Sequence, residues 1–401
     1  MGFGMCGQKG KNLTAQQALD SVAATAQSGI LRLYDMLGVR SPGIGGCNTS
    51  AGVPSATPPQ AWFSPTAATA GGFSAICLLT AQQLFVASGG AVPIGAVESA
   101  WGGTRINSWT PQEPSDPWAN EKGARMLWEQ YVLPFVPFTF AGVLWDQGEA
   151  DEGSAWPNTK QHLVNNATPA EAYAQQFPLM IQRWRTAFDM PVSGERIVPF
   201  VYVEMDCAKE SFWLAQRSAS ALPAVGFATT VDINAHATHS PDKEVVSIRM
   251  AWELRRIANS SLGGGSAGVP SRPRLIRVSG SGSGGVGGGV AAEVMFEFDG
   301  PIESRSGGGG GGGGPVGKNC GSGGPDSTAI DYGFPLPKQR FPSLNYSVTG
   351  SSVTVQCGKP GAIVELSSRL ASCFLYNKGG LPVAPLCALC NQTQAVCAPR
   401  I

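Results

Sequence analysis

Val143-Leu144-Trp145-Asp146-Gln147-Gly148-Glu149-Ala150-Asp151 is the stretch on which the fold class of this 401-residue chain turns. The apolar run Phe138 to Leu144 reads as a buried strand, and it breaks at once into an amide, a glycine and several carboxylates. An open α/β sheet presents its chemistry at strand ends of this kind. A second one lies earlier, where Pro93-Ile94-Gly95-Ala96-Val97 leads into Ser99-Ala100-Trp101-Gly102-Gly103-Thr104-Arg105. One strand end with paired glycines and another with Gln-Gly-Glu suggest a site that binds an oxyanion, the need of an acyl-transfer hydrolase.

Outward from these two points, helix and strand alternate. Helices are predicted over Leu13–Gln27, Phe73–Ala87, Ala124–Val132, Pro169–Phe188 behind a Thr168 cap, Glu210–Ala221 and Ser240 to about Ser260. Strands are predicted over Ile30–Tyr34, Pro93–Val97, Phe138–Leu144, Ile197–Val203 and Val225–Ile233. This alternation argues for a parallel sheet with helices on both faces. After Leu262 the composition shifts. Gly263–Gly265, Ser279–Gly289 and Gly307–Gly314 read as flexible insertions, because no Lys-Ser/Thr ending or following helix makes a phosphate loop of them. Between them Glu293–Phe298, Tyr346–Thr349 and Val353–Val355 alternate as strands, and Ala362–Leu366 with Cys373–Tyr376 forms a candidate further pair. The expected organisation is an α/β domain over 1–262 and a β-rich module over 263–401.

Formal net charge is zero, so no electrostatic footprint for nucleic acid is present. No apolar run approaches the ~20 residues that span a bilayer, so membrane insertion is not expected. Of ten cysteines, Cys320, Cys357, Cys373, Cys387, Cys390 and Cys397 fall late, which suggests disulfides in the C-terminal module, with free or metal-bound thiols as the alternative. Sequons at Asn12, Asn48, Asn166, Asn259, Asn345 and Asn391 favour a secreted or lumenal protein. Met1-Gly2-Phe3-Gly4-Met5 is nevertheless no signal peptide, having neither a basic start nor an apolar stretch.

Candidate chemistry gathers at three strand ends. Asp232, His236 and His239 follow the strand from Val225, and Ser240-Pro241-Asp242 looks like a helix start. A histidine held there beside an aspartate is a candidate general base, against the alternative of a surface loop histidine. A His236/His239 pair on a metal is a further option. The Gln147 amide is a candidate oxyanion donor with a backbone N–H of Gly102 or Gly103, or else a buried amide tying two loops. Glu149 is a loop acceptor or, with Asp146, Asp151 and Glu152, part of a cation site. Trp101, Trp109 and Trp145 flank these positions, as sugar platforms or as core. No GxSxG elbow between a strand and a helix is found.

Residues Gly95 to Trp109, GAVESAWGGTRINSW, resemble the "WGGT" block of sialate O-acetylesterases, members of the SGNH-like hydrolases. VLWDQGEAD is similar to that family's "WxQGES(N/D)" block, with Ala150 at the Ser position. His239-Ser240-Pro241-Asp242-Lys243 resembles its "IHPxDK" block, with Ser240 displacing the Pro. Leu375-Tyr376-Asn377 and Gly380-Leu381-Pro382 match weakly.

The resemblance implies a flavodoxin-like three-layer α/β/α domain and release of acetate from O-acetylated sialic acid or a related O-acetylated sugar. A serine would be acylated, with His239 as base and Asp232 as triad acid, Gly102, Gly103 and Gln147 as oxyanion hole, and no cofactor. Trp101, Arg105, Trp145 and Glu149 would line the substrate pocket. The family's nucleophile lies in a "GQSNM" block after the first strand, and Met1 matches that block's Met. The first strand and the serine are therefore expected upstream of Met1, the chain as given is expected to be inactive, and a lost signal for the secretory or lysosomal route is expected with them. The alternatives are a non-catalytic carbohydrate-binding homologue, or acyl transfer to a second sugar by the same residues.

Overall fold

The structure is a computed structural model that describes residues 21, 31–36, 61–66, 70–152, 167–190, 197–205, 210–230 and 242–261, with eight further strands described between 275 and 389. The expected helix Leu13–Gln27, the residues Asp232, His236, His239 and Ser240, and the runs Gly263–Gly265 and Gly307–Gly314 lie outside the described residues, save for Ser21.

The α/β character is confirmed, and its parallel strands fall into two sheets. In the first, β1 (Leu31–Asp35) runs parallel to β3 (Ile94–Glu98), with Asp35 opposite Glu98, and the short β2 (Trp62–Phe63) is antiparallel to β1. In the second, β4 (Val143–Trp145), β5 (Phe200–Glu204) and β6 (Val225–Thr229) are all parallel. Every residue of β5 is buried, as a strand covered on both faces must be.

Helix α1 (Ala75–Ala87) is capped by Ser74, whose side chain accepts the Cys77 N–H. It is buried on nearly every side because it serves two cores. Leu78 and Leu79 pack with Leu31 and Leu33, while Ile76 packs with Val201 and Val203 of β5 and with Met250 of α5 (Lys243–Ser261). On the other face of β5, Phe200 and Tyr202 meet Phe177 and Met180 of α3 (Pro169–Ala187) and Ala215 of α4 (Glu210–Arg217). Helices therefore cover both faces of this sheet. The start of α3 follows the expected signal closely. Thr168 and Glu171 form a reciprocal capping box, with Pro169 at the first helical position.

Four expectations are corrected. Phe138–Gly142 is not strand, so β4 has only three residues; the Phe138 N–H is spent in a turn on Phe135 O (2.8 Å) and its ring is half exposed. The helix expected over Ala124–Val132 becomes a π-helical turn at Trp128–Val132 and a 3-10 turn at Leu133–Phe135. Arg125 is left-handed (φ 54) and Pro134 offers no N–H, so a regular helix is blocked at both ends. Helix α5 starts at Lys243, capped by Asp242 through the Val245 N–H, rather than at Ser240. Ser279–Gly282, taken for part of a linker, belongs to β7 (Leu275–Gly282), where the backbone pairs whatever the side chain.

In the C-terminal part, β8 (Ala292–Phe298) lies between β7 and β11 (Ser352–Cys357), and β10 (Tyr346–Thr349) forms the expected pair with β11. Two other strands do not form the expected pair. Ile363–Leu366 binds Leu386–Leu389, and Cys373–Asn377 binds Ile302–Ser306. No helix among the described residues is long and apolar enough to cross a membrane.

Two places in this frame carry predictions. Gly148 follows β4 at φ 151, and an added Cβ would meet the Met205 sulfur and lie 2.9 Å from the Phe212 ring. Gly148→Ala combines overpacking with backbone strain, so a loss of about 3 kcal/mol or more is expected in denaturant melts. Glu98 accepts the Ser74 N–H (2.7 Å) at the start of α1. Burial pushes its carboxyl up to about 8, and Asp35 adds like-charge repulsion against that hydrogen bond. The fold thus favours the protonated form, and the stability this contributes is full below the ordinary 4.5 and lost as pH rises through about 8. The melting temperature of Glu98→Gln minus that of the parent should therefore grow between about pH 5 and 9. A constant difference across that range would show that Glu98 is not the group responsible.

Candidate active site at the carboxyl edge of the strands

The candidate site is built where β3 and β4 end. After β3 the chain runs through Trp101, Gly102 and Gly103, where φ is 73 at Gly103, a left-handed value that suits glycine. Thr104 then turns the loop back on itself. Its hydroxyl donates to Trp101 O (2.7 Å) and accepts the Trp109 indole N–H (3.0 Å). A 3-10 turn, Ile106–Ser108, closes the loop and is buried.

After β4 the chain turns through Gln147 and Gly148 into the short helix α2 (Glu149–Glu152), whose residues are all buried. Gln147 bridges the two segments. Its Nε2 donates to Thr104 O (3.0 Å) and to Asp151 Oδ2 (2.5 Å), while its Oε1 lies 3.2 Å from the Tyr173 hydroxyl, which donates to it. Asp151 Oδ2 also accepts the Ile106 N–H (2.9 Å). Burial pushes the Asp151 carboxyl up to about 7, against the pull of Gln147, Ile106 and Arg105. The structure therefore ties Gln147 to the loop that follows β3, at Thr104 O, which is the alternative the sequence offered to an oxyanion donor. In this arrangement both amide N–H bonds of Gln147 are engaged within the protein.

The remaining site residues separate by depth. Trp101 is 50% exposed and rests its ring 5.6 Å from that of Tyr131, beside the glycines. Arg105 is half-buried near Asp151. Trp145 is no pocket wall. Its ring lies among Trp109, Phe177, Trp184 and Phe200 in the core, because side chains alternate along β4 and this one faces α3. Glu149 is likewise buried, in the first turn of α2.

The third segment is fixed from one side. Lys243 at the start of α5 is buried and lies 3.9 Å from Asp146 Oδ2 at the end of β4. A cation at a helix N-terminus is opposed by the macrodipole, and Asp146 offsets this. The described chain resumes at Asp242, next to the end of β4, and Asp232, His236 and His239 lie outside the described residues. Sequence reasoning missed Thr104, Tyr173, Asp146 and Lys243 as partners. The Lys directly after Asp242 was the one visible signal, since helix starts disfavour cations. Among the described residues no group of three or more His, Cys, Asp or Glu is placed to share a metal ion.

Residues 75–247 match the family model described as carbohydrate esterase, sialic acid-specific acetylesterase. The sialate O-acetylesterases of Homo sapiens and Pongo abelii are each 30% identical over 172 residues, covering 37% of this chain and 30% of theirs. That of Rattus norvegicus is 26% identical over 219 residues, covering 43% of this chain and 36% of its own. The chain thus spans between 30% and 36% of the length of these relatives. A solved carbohydrate acetylesterase from Xanthomonas citri aligns with a TM-score of 0.63 at 24% identity, over 97% of this chain and 78% of that one, which shows a shared fold. The matched span holds both the Gly102–Ile106 loop and the Gln147–Asp151 turn, and over that span the chain is similar to the sialic acid-specific acetylesterases among the carbohydrate esterases.

Proposed function

We propose that this protein releases acetate from O-acetylated sialic acid or a related O-acetylated sugar. The observation that carries the reading is the closure of the Gly102–Ile106 loop onto Gln147 and Asp151 at the carboxyl edge of parallel strands. This puts a glycine turn with its backbone N–H groups beside a buried polar wall, the setting in which charge on a tetrahedral intermediate is stabilised. The half-exposed Trp101 ring, with Tyr131 behind it and Arg105 nearby, offers an aromatic face for a sugar ring.

In this reading the nucleophile is the serine of the family's Gly-Gln-Ser-Asn-Met block. His239 takes its proton as the serine oxygen attacks the acetyl carbonyl, and returns that proton to the departing sugar oxygen. Water then attacks the acyl-enzyme with His239 again as base, and acetate leaves. Asp232 orients the imidazole. Residues 1–262 form the catalytic unit, a flavodoxin-like three-layer domain, and 263–401 an appended β-rich module. The sequons support passage through a secretory or lysosomal compartment.

The test is free acetate measured from O-acetylated sialic acid and from 4-nitrophenyl acetate, in protein that carries the serine block. His239→Ala should abolish release, His236→Ala should stay within about threefold of the parent, less than ~0.7 kcal/mol, and a serine-directed fluorophosphonate should inhibit. Saturable binding of the acetylated sugar without turnover would replace the esterase with a binding protein. Equal loss from both histidine variants, with inhibition by a chelator, would replace the serine route with metal chemistry.

A further inference from the structure

The amide of Gln147 is held at all three of its polar positions. One N–H bond goes to Thr104 O and the other to Asp151 Oδ2, while Oε1 lies within reach of the Tyr173 hydroxyl, itself 3.4 Å from the Trp145 indole N–H that donates to it. The orientation of the amide follows from these partners. Turned over, its oxygen would face a carbonyl and a carboxylate. For Gln147 to donate to a substrate oxyanion, either Thr104 O or Asp151 Oδ2 would have to be given up.

The grip has two ends. Thr104 O is held by Gln147 and the Ile106 N–H by Asp151, so both sides of Arg105 are anchored to the β4 turn. From Thr104 the constraint passes outward, because its hydroxyl donates to Trp101 O. Trp101 O and the Gly102 N–H belong to one planar trans peptide, so fixing the carbonyl sends the N–H the opposite way. A side chain at the bottom of the site thereby sets the direction of a backbone donor at its mouth.

We propose that Gln147 and Asp151 form a latch which, through Thr104, aims the Gly102 N–H at the substrate carbonyl, making Gln147 a positioning residue and the backbone N–H the oxyanion donor. The assignment rests on the esterase reading above for its purpose, but the latch itself does not.

Two readouts keep these apart. Hydrogen–deuterium exchange followed by mass spectrometry, over peptides covering 101–109, reports the latch whether or not the protein turns over. Gln147→Ala and Asp151→Ala should each raise exchange there about tenfold, ~1.4 kcal/mol, and the double variant should exceed neither single one, since both remove one device. In acetate release each should lower kcat about tenfold with KM within about twofold, a loss felt only as charge develops. Asp151→Asn keeps an acceptor oxygen for Ile106 and should recover part of both losses. Thr104→Val should reproduce the latch defect, and Thr104→Ser, which keeps the hydroxyl, should return exchange and kcat toward the parent. This outer pair decides the matter where Gln147→Ala folds poorly. Unchanged exchange in Gln147→Ala with a large fall in kcat would overturn the latch and make Gln147 the donor. So would losses in Gln147→Ala and Asp151→Ala that simply add. Absence of acetate release from the parent would remove the esterase reading while the exchange result still stood for or against the latch.

Discussion

Helix α1 packs against both sheets at once, and the geometry of the carboxyl edge depends on that sharing. Leu78 and Leu79 belong to the core of β1 and β3, Ile76 to the core of β5, β6 and α5. Each such side chain contributes roughly 1.5–3 kcal/mol when fully buried. Polar contacts add direction to this apolar contact. Thr80 Oγ1 donates to Ser247 O (3.5 Å) and Ser247 Oγ donates to Ile76 O (3.4 Å), both far inside. At its start, α1 is tied to the end of β3 by Glu98. A shift of α1 would therefore disturb two cores and move the strand end that carries the glycine turn.

Polar groups placed this deep are tolerated only where each finds partners. The turn after β4 meets that condition through a dense set of bonds: Asp151 with Ile106 and Gln147, Tyr173 with the Gln147 amide, and Gln216 with both Met205 N–H (2.9 Å) and Val203 O (3.4 Å). Gly148 makes room for this closeness, since Met205 and Phe212 sit where a side chain would be. The upward displacement of the Asp151 and Glu98 carboxyls is the residual cost of such burial.

Much of this was legible in the sequence, for identifiable reasons. Strands β1, β3 and β6 and helices α1 and α3 announced themselves because caps, turn residues and apolar runs agreed with one another, as at Thr168-Pro169-Ala170-Glu171. The two strand ends stood out because polar residues followed buried runs without a linker. What stayed hidden was decided by contacts distant in sequence. Phe138–Gly142 is apolar enough for a strand, yet its turn on Phe135 and the exposed Phe138 ring take it out of the sheet. Trp145 could be read as a sugar platform or as core, and the pleat of β4 sends it into the core. The partners of Cys373–Asn377 and Ile363–Leu366 were unreadable for the same reason, since antiparallel pairing across long insertions leaves no local trace.

The division between Trp145 and Trp101 has a consequence for how such a site can change its substrate. Trp145 and Trp109 meet edge to face, with Trp184 and Phe200 around them, so altering either ring disturbs the base on which the Gln147 turn rests. Trp101 touches Tyr131 and otherwise faces outward, and the loop it begins is held from beneath by Thr104 rather than by its own ring. Substitution at Trp101 or Arg105 can therefore reshape the mouth while the bonds from Thr104 to Gln147 and from Ile106 to Asp151 persist. The buried amide and carboxylate that hold the loop and the exposed side chains at its outer edge are therefore different residues, and the core depends on the first and not on the second.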